Sequence, residues 1–93
     1  MKYLLVLALT LLATSASAAN RCVLKDQMYE VLAVRFGEAR VTRALAADGS
    51  AVIETWANTR TGTWTLIAIR PDGLACLIVS GEAFLLVPPG DPA

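Results

Sequence analysis

The sequence predicts an α+β domain in which one N-terminal helix packs on a four-stranded antiparallel β-meander, stapled by one disulfide. Apolar residues first recur at helical spacing, and β-branched runs separated by short turns then follow. Consecutive strands that are joined by short turns pair antiparallel, which gives the meander. The two cysteines, Cys22 and Cys76, lie just before the helix and in the last strand.

The first residues, MKYLLVLALTLLATSASAAN, have the pattern of a secretory signal peptide. Lys2 supplies the positive charge, an apolar run follows, and small residues then offer cleavage after Ala18 or Ala19. The run is shorter than the roughly 20 apolar residues of a membrane-spanning helix, and a bulky cation before Cys22 disfavours a lipoprotein anchor. We therefore predict that residues 1–19 are removed and that the mature protein is periplasmic or secreted in a Gram-negative bacterium, with no stable membrane anchor.

Cys22 and Cys76 are expected to form one intramolecular disulfide in an oxidising compartment. They lie too far apart for a redox motif, and zinc would need further cysteine or histidine ligands, whereas the chain has no histidine. Closing a loop of about 54 residues stabilises a protein by about 4 kcal/mol in the chain-entropy model. A core of this size rarely supplies more than roughly 3–5 kcal/mol, so the disulfide is expected to decide stability.

The stretch VLKDQMYEVLAVRF predicts a helix over residues 23–36. Its apolar face is formed by Leu24, Met28, Val31, Leu32 and Phe36. Asp26 in the first turn and Arg35 in the last turn complement the helix dipole. Gly37 is well placed to be the left-handed C-terminal cap.

The strands are predicted in the segments ARVTRALA, AVIETWAN, TWTLIAIR and LACLIVSG, separated by the turns ADGS, TRTG and PDG. The segment EAFLLV either extends the fourth strand or forms a short fifth strand. Residues 20–87 therefore make up a single domain. The tail PPGDPA, residues 88–93, is rich in proline and is predicted to be disordered.

The PDG turn predicts which face of the sheet the helix covers. A three-residue loop over residues 71–73 places Ala68 opposite Cys76. Because Cys22 precedes the helix, we expect the helix to dock on the face that carries Cys76. The opposite face would then expose Ile53, Ile67, Ile69, Leu77 and Val79. So large an apolar patch needs cover, from residues 83–87, from a second copy of the chain or from another protein.

The two tryptophans flank the polar loop NTRTG. A turn centred on Arg60 places Trp56 opposite Trp64, and such an aromatic pair stabilises a sheet by roughly 0.2–1 kcal/mol. We interpret the pair as core packing beneath the helix. The alternative is an interaction surface, because tryptophan is enriched at binding hot spots and Asn58 and Arg60 offer a polar rim.

The residue types argue against catalysis. Without histidine there is no Ser-His-Asp or Cys-His arrangement, and no glycine-rich nucleotide motif or cluster of metal ligands is present. Glu54 and Glu82 could approach each other across strands, although such acids more often lie on a solvated edge. The formal net charge is zero and basic residues are scattered, which gives no electrostatic footprint for nucleic acid. We expect no enzyme activity, no cofactor and no bound metal.

The run RFGEAR…GSAVIETWANTRTGTWTLIAIRPDGLACLIVSGEAF resembles a family of small secreted alphaproteobacterial proteins of uncharacterised activity. The common features are a signal peptide, an early cysteine, a helix ending in a YGE-like sequence, GTWT at residues 62–65 and CLIVSGEAF at residues 76–84. Phe36 stands where the family has tyrosine. The resemblance covers most of the mature chain and implies export and a disulfide, but it implies no activity.

The sequence thus predicts an exported periplasmic protein that is a non-catalytic binding or interaction module. We expect its partner to be another protein or a second copy of the chain, bound through the apolar sheet face or the tryptophan hairpin. The candidate interaction residues are Trp56, Arg60, Trp64, Ile67 and Ile69. The alternative is an inhibitor of a periplasmic enzyme, such as one that degrades the cell wall, and a small enzyme or metal carrier is the least favoured reading.

Overall fold

The computed structural model describes residues 21–90, so the predicted leader and residues 91–93 of the tail lie outside the described part. Five antiparallel strands form one sheet in the order β1-β5-β4-β3-β2. The strands are β1 (Cys22–Leu24), β2 (Ala39–Leu45), β3 (Val52–Ala57), β4 (Trp64–Ile69) and β5 (Leu74–Gly81). Helix α1 spans Lys25–Glu30 and continues as a π-helical turn over Val31–Arg35. The α+β class and the Cys22–Cys76 disulfide are confirmed.

The first described element is a strand, so the predicted order with an N-terminal helix is wrong. Strand β1 pairs with β5 and places Cys22 directly opposite Cys76. Leu24 fits the apolar spacing of the helix, yet its φ of −56° and ψ of 142° are those of extended chain. The fifth strand is therefore β1, whereas the segment EAFLLV contains no strand beyond Gly81.

The C-terminal end of the helix is fixed by hydrogen bonds to its own chain and to the β3–β4 turn. Gly37 has a φ of 63°, which confirms the left-handed cap. Beyond it, the backbone N–H of Glu38 donates to the carbonyl of Leu32 at 2.9 Å. The side-chain amide of Asn58 donates to the carbonyl of Phe36 at 3.2 Å. The helix end, the start of β2 and the β3–β4 turn are thus held together.

The β4–β5 hairpin has the predicted register. The N–H of Arg70 donates to the carbonyl of Leu74 at 2.8 Å, and Ala68 lies opposite Cys76. The regular pairing then shifts by one residue between Leu66 and Ile67, which is a β-bulge in the ladder. A second bulge interrupts the β2–β3 ladder between Arg40 and Thr42. The outer strand β2 is therefore irregular near its start.

The β3–β4 hairpin differs from the prediction by one residue. Trp56 lies opposite Thr65, and Trp64 lies opposite Ala57. Because side chains alternate between faces along a strand, a slip of one residue moves a side chain to the other face. The two tryptophans therefore lie on opposite faces of the sheet, and the predicted cross-strand tryptophan pair is wrong.

The length of the turn explains this register. Asn58 pairs with Thr63, because the N–H of Asn58 donates to the carbonyl of Thr63 at 2.8 Å. The side-chain oxygen of Asn58 also accepts the N–H groups of Arg60 and Thr61, at 3.0 and 3.1 Å. Gly62, with a φ of 87°, closes the loop. The turn thus contains an even number of residues and is centred between Arg60 and Thr61, not on Arg60.

The helix packs on the face that the sequence predicted to be exposed. The core consists of Met28, Leu32, Trp56, Ile67 and Ala75, with Tyr29, Ile69 and Leu77 packed against it. Ile67 is fully buried, so the expectation that the helix docks on the Cys76 face is wrong. Since Cys22 is itself in the sheet, its disulfide joins two neighbouring strands and leaves the helix free to cover the other face.

The face without the helix carries Ile53, Leu66 and Ala68, which are half-buried. The segment after β5 turns back towards the β3–β4 turn, where the N–H of Phe84 donates to the carbonyl of Gly62 at 2.9 Å. The following apolar residues, 85–87, remain exposed. Within the described residues Phe84 is therefore half-buried, whereas the side chains of 85–87 are not covered.

Candidate functional site

A groove of about 640 Å³ opens between the helix, the start of β4 and the end of β5. Its apolar lining consists of Val23, Met28, Val31, Leu32, Phe36 and Leu77. Its polar lining includes Arg21, Glu38, Thr65, Ser80 and Glu82. The volume lies within the range of roughly 300–1,000 Å³ that is typical of small-molecule sites, and a mostly apolar lining with a few polar groups is also typical.

The groove lies beside the short helical segment, which leaves part of this face of the sheet uncovered. Tyr29 of the helix packs on Trp56, with ring centroids 4.9 Å apart, whereas the start of the helix lies beside β1 and β5. Val31, at the start of the π-helical turn, and Phe36, at its C-terminal end, line the groove and stay partly exposed. Val31 belongs to the π-helical turn, a feature that is frequent at functional sites.

Glu38 contributes an unusual carboxylate to the groove lining. The residue is only 4% exposed, and its Oε1 is buried without a hydrogen-bond partner. Its position is imposed by the chain, because the Gly37 cap and the bond from its N–H to Leu32 fix the backbone on one side. Strand β2 fixes it on the other side, starting at Ala39. Buried polar atoms are nearly always paired, so Glu38 has hydrogen-bonding capacity that the described residues leave unused.

Trp64, at the start of β4, borders the groove, whereas its indole belongs to the sheet face away from the helix and is fixed there by β5. Its Nε1 donates to the carbonyl of Glu82 at 3.1 Å, and its indole ring lies against Gly81. A Cβ atom at position 81 would come within 3.0 Å of the indole. Glycine is therefore required for this close approach of the ring to the strand, which explains the glycine at the end of β5.

A second cluster surrounds Glu54, which is 0% exposed in the middle of β3. Its Oε2 accepts the hydroxyl of Tyr29 at 3.0 Å, Nη1 of Arg40 at 3.3 Å and Nε of Arg43 at 3.1 Å. Its Oε1 accepts Nε1 of Trp56 at 3.1 Å. Both carboxylate oxygens thus have partners, which makes a stable buried carboxylate possible.

The donors of this cluster also pack against each other. The guanidinium carbon of Arg40 lies 5.8 Å from the centre of the Tyr29 ring and 6.0 Å from that of Trp56, within the distance of a cation–π interaction. The carboxylate is enclosed by its own donors. We assign the cluster a structural role, in which it joins the helix to β2 and β3.

Sequence reasoning did not find the Glu54 cluster. Glu54 lies opposite Ile67 of β4, whereas Glu82 follows the end of β5, so the two acids are not cross-strand neighbours. The available signal was a glutamate inside the apolar strand VIETWA, together with two arginines in the adjacent strand. The β2 bulge, which brings Arg40 and Arg43 to the same carboxylate, has no signal in the sequence.

The hydroxyl of Tyr29 gives a testable pH dependence. Burial raises the pKa of Tyr29 above its usual value, and the hydrogen bond and negative charge of Glu54 add to this, while Arg40 partly opposes it. Because the pKa is higher in the folded state than in the unfolded state, the contribution of Tyr29 to stability is complete below about pH 10. It is lost as the pH rises through the folded-state pKa.

We therefore expect ultraviolet titration of tyrosinate to give a midpoint above that of free tyrosine in the native protein, and a normal midpoint in urea. Removal of the leader would make Tyr29 the sole tyrosine, since Tyr3 is the other. Tyr29→Phe should weaken the alkaline loss of stability that the parent protein shows. A native midpoint at or below that of free tyrosine would contradict the assignment.

The structure separates the five residues that were predicted to form an interaction surface. Trp56 is buried in the Glu54 cluster, Ile67 is buried beneath the helix and Ile69 is half-buried beside it. Arg60 is exposed in the β3–β4 turn. Trp64 is the one member of this set among the groove-lining residues, and its indole lies on the sheet face away from the helix.

Within residues 21–90, no group of three or more cysteine, aspartate or glutamate side chains is placed to hold a metal ion. Both cysteines are used by the disulfide. The same residues contain no helix with the length and apolar composition needed to cross a membrane.

Comparison of the chain with family models, with curated proteins and with solved structures finds no match. The resemblance to small secreted alphaproteobacterial proteins therefore stays a prediction.

Proposed function

We propose that this protein is an exported, non-catalytic binding module whose groove receives an apolar ligand. The observation that carries the proposal is the groove of about 640 Å³ with its largely apolar lining. Export is supported by the leader-like sequence and is compatible with the disulfide, which needs an oxidising compartment.

The partly exposed side chains in the groove supply the driving force for binding. Val31 and Phe36 still have apolar surface in contact with water, and a ligand that covers them gains about 25 cal/mol per Å² of buried apolar area. Each methylene group that a ligand buries is worth about 0.8 kcal/mol, which corresponds to about a fourfold change in affinity. Affinity should therefore increase with chain length in a homologous series.

The experiment is a titration of the purified oxidised protein with linear alcohols of increasing length, followed by NMR of the backbone amides. We expect each added methylene to strengthen binding about fourfold until the groove is filled. The shifted amides should include those of the π-helical turn and the end of β5. Shifts that are spread evenly over the surface, or an affinity that does not depend on chain length, would contradict the proposal.

The helix offers a matched pair of variants. Val31 lines the groove and is 43% exposed, whereas Val34 lies outside the lining and is 79% exposed. Both belong to the π-helical turn, so Val31→Asn and Val34→Asn make the same chemical change in the same element. We expect Val31→Asn to weaken binding of the alcohols and Val34→Asn to leave it unchanged. Equal effects of the two variants would show that the alcohols do not bind in the groove.

A protein partner is the second candidate, and an inhibitor of a periplasmic enzyme is one form of it. The observation that favours it is the exposed apolar segment 85–87, next to the β3–β4 turn that carries Arg60. Contiguous exposed apolar residues are typical of interaction sites. Inhibition of a cell-wall lytic enzyme by the parent protein, abolished in a Leu85→Ser/Leu86→Ser variant that still folds, would support this candidate. A second copy of the chain is the other possible partner, which light scattering at high concentration would detect.

A further inference from the structure

We infer that the ligand of the groove is a small amphiphilic amine, whose ammonium group pairs with the carboxylate of Glu38 while its apolar part fills the groove. This inference rests on the proposed function, because it requires that the groove binds an apolar ligand. It adds the chemical class of that ligand and the residue that selects it.

The unused acceptor of Glu38 is the first observation. Glu38 is 4% exposed, lines the groove and has an Oε1 without a hydrogen-bond partner. A buried carboxylate oxygen without a donor is unfavourable. An N–H donor that enters the groove would remove this penalty, so binding and satisfaction of Glu38 would occur together.

The second observation is the contrast with Glu54, a buried carboxylate to which the fold supplies hydrogen-bond donors. Glu54 is 0% exposed and receives hydrogen bonds from four side chains. Glu38 is almost equally buried, yet its Oε1 receives none. The difference lies in position, because Glu54 is enclosed by the helix and β2, whereas Glu38 borders the groove.

The charges around the groove favour a cation over an anion. Arg21 is the only basic residue among the groove-lining residues, and in the described part of the chain it forms no ion pair with Glu38. Glu82 adds a second acidic side chain at the rim. An incoming carboxylate would therefore meet Glu38 without gaining a donor there, whereas an ammonium group offers three N–H donors.

The groove dimensions favour a small molecule. Its volume of about 640 Å³ matches that of small-molecule sites, and most of its wall is apolar. A buried acceptor without a partner in such a wall favours a ligand that is apolar except at one end. A single-chain primary amine has this form.

The test compares three probes that share a six-carbon chain: hexylammonium, hexanol and hexanoate. Calorimetric titration of the purified oxidised protein at neutral pH should show hexylammonium binding at least about tenfold more tightly than hexanol, since hydrogen bonds to charged groups are the stronger class. Hexanoate should bind most weakly. Equal affinities of hexylammonium and hexanol would overturn the inference and leave the proposed function intact.

Two variants assign the preference to Glu38. Glu38→Gln should remove the advantage of hexylammonium over hexanol and retain hexanol binding, which shows that the groove is preserved. Glu82→Gln changes an exposed carboxylate at the rim and should alter hexylammonium affinity by less than about fivefold, as is typical of exposed ion pairs. A preference that survives Glu38→Gln would overturn the assignment.

Thermal unfolding separates a binding role from a structural one. Glu38→Gln replaces a buried carboxylate whose Oε1 has no partner with a neutral amide, so we expect a melting temperature equal to or above that of the parent protein. If the variant failed to fold, the ratio of hexylammonium to hexanol affinity in the parent protein would still decide the inference. Absence of binding by all three probes would overturn the proposed function and this inference with it.

Discussion

Loss of the Cys22–Cys76 disulfide is expected to lower the free energy of unfolding by about 4 kcal/mol in the chain-entropy model. The bond closes a loop of 54 residues, which contains the helix and three of the five strands. A core of this size rarely contributes more than roughly 3–5 kcal/mol. Cys22→Ser or Cys76→Ser should therefore leave a large fraction of the molecules unfolded.

The position of the bond adds a local effect. Strand β1 has three residues and pairs only with β5, so the disulfide holds a very short edge strand in register. The helix begins directly after β1, and the N–H of Lys25 donates to the carbonyl of Gly73 at 3.0 Å. Reduction should increase hydrogen exchange first in β1 and at the start of the helix.

Thermal unfolding with and without reductant measures the main effect. The Cys22→Ser/Cys76→Ser double variant is the control, because reductant should not change its melting temperature. Equal melting temperatures for the oxidised and reduced parent protein would contradict the expected stabilisation. Mass spectrometry that finds two free thiols in the native protein would contradict the bond itself.

Glu54→Ala is expected to be the most harmful single substitution outside the disulfide, with a loss of about 3 kcal/mol in the free energy of unfolding. Arg40 and Arg43 are 40% and 59% exposed, so water can hydrate them when the carboxylate is gone. The main cost comes from Trp56, whose buried Nε1 loses its acceptor, and from Tyr29, whose hydroxyl loses its partner. Each orphaned buried donor costs about 1–3 kcal/mol.

Urea unfolding of matched variants checks this expectation. Glu54→Gln keeps one side-chain oxygen that can accept Nε1 of Trp56, and it should therefore be less harmful than Glu54→Ala. Glu30→Ala removes an exposed glutamate from the helix and should change stability by less than about 0.5 kcal/mol. A Glu54→Ala protein as stable as Glu30→Ala would contradict the role of the cluster.

Local signals predicted local structure well. Gly37 was predicted to be the helix cap and has the required positive φ. The PDG turn was predicted to place Ala68 opposite Cys76, and it does. In both places glycine permits a positive φ that other residues rarely adopt, and in the turn proline also fixes its own φ, so neighbouring residues decide the outcome.

The register of the β3–β4 hairpin could not be predicted from such local signals. The loop TRTG accepts either an odd or an even turn, and the side chain of Asn58, which holds the N–H groups of Arg60 and Thr61, favours the even one. Because the observed register differs from the predicted one by one residue, Trp56 lies under the helix and Trp64 lies on the other face. The predicted exposed face, with Ile67 at its centre, was wrong for a different reason: Cys22 lies in β1 of the sheet, so the disulfide does not hold the helix on the Cys76 face.

The candidate site could not be predicted from local pattern. Glu38 follows a helix cap and precedes a strand, a position typical of an exposed residue, and its burial depends on how the helix lies across the sheet. The apolar lining comes from β1, the helix and β5, which are far apart in sequence. Only the packed arrangement brings these residues to one groove.

The bulge in β2 disfavours edge-to-edge strand pairing between copies of this chain. Strand β2 is an outer strand of the sheet, and an outer strand with a regular backbone invites a foreign strand to add to it. Here the irregular pairing between Arg40 and Thr42 interrupts the row of free backbone groups, and two cationic side chains flank the interruption. Arg40 and Arg43, which neutralise the buried Glu54, thus also disfavour the addition of further strands at this edge of the sheet.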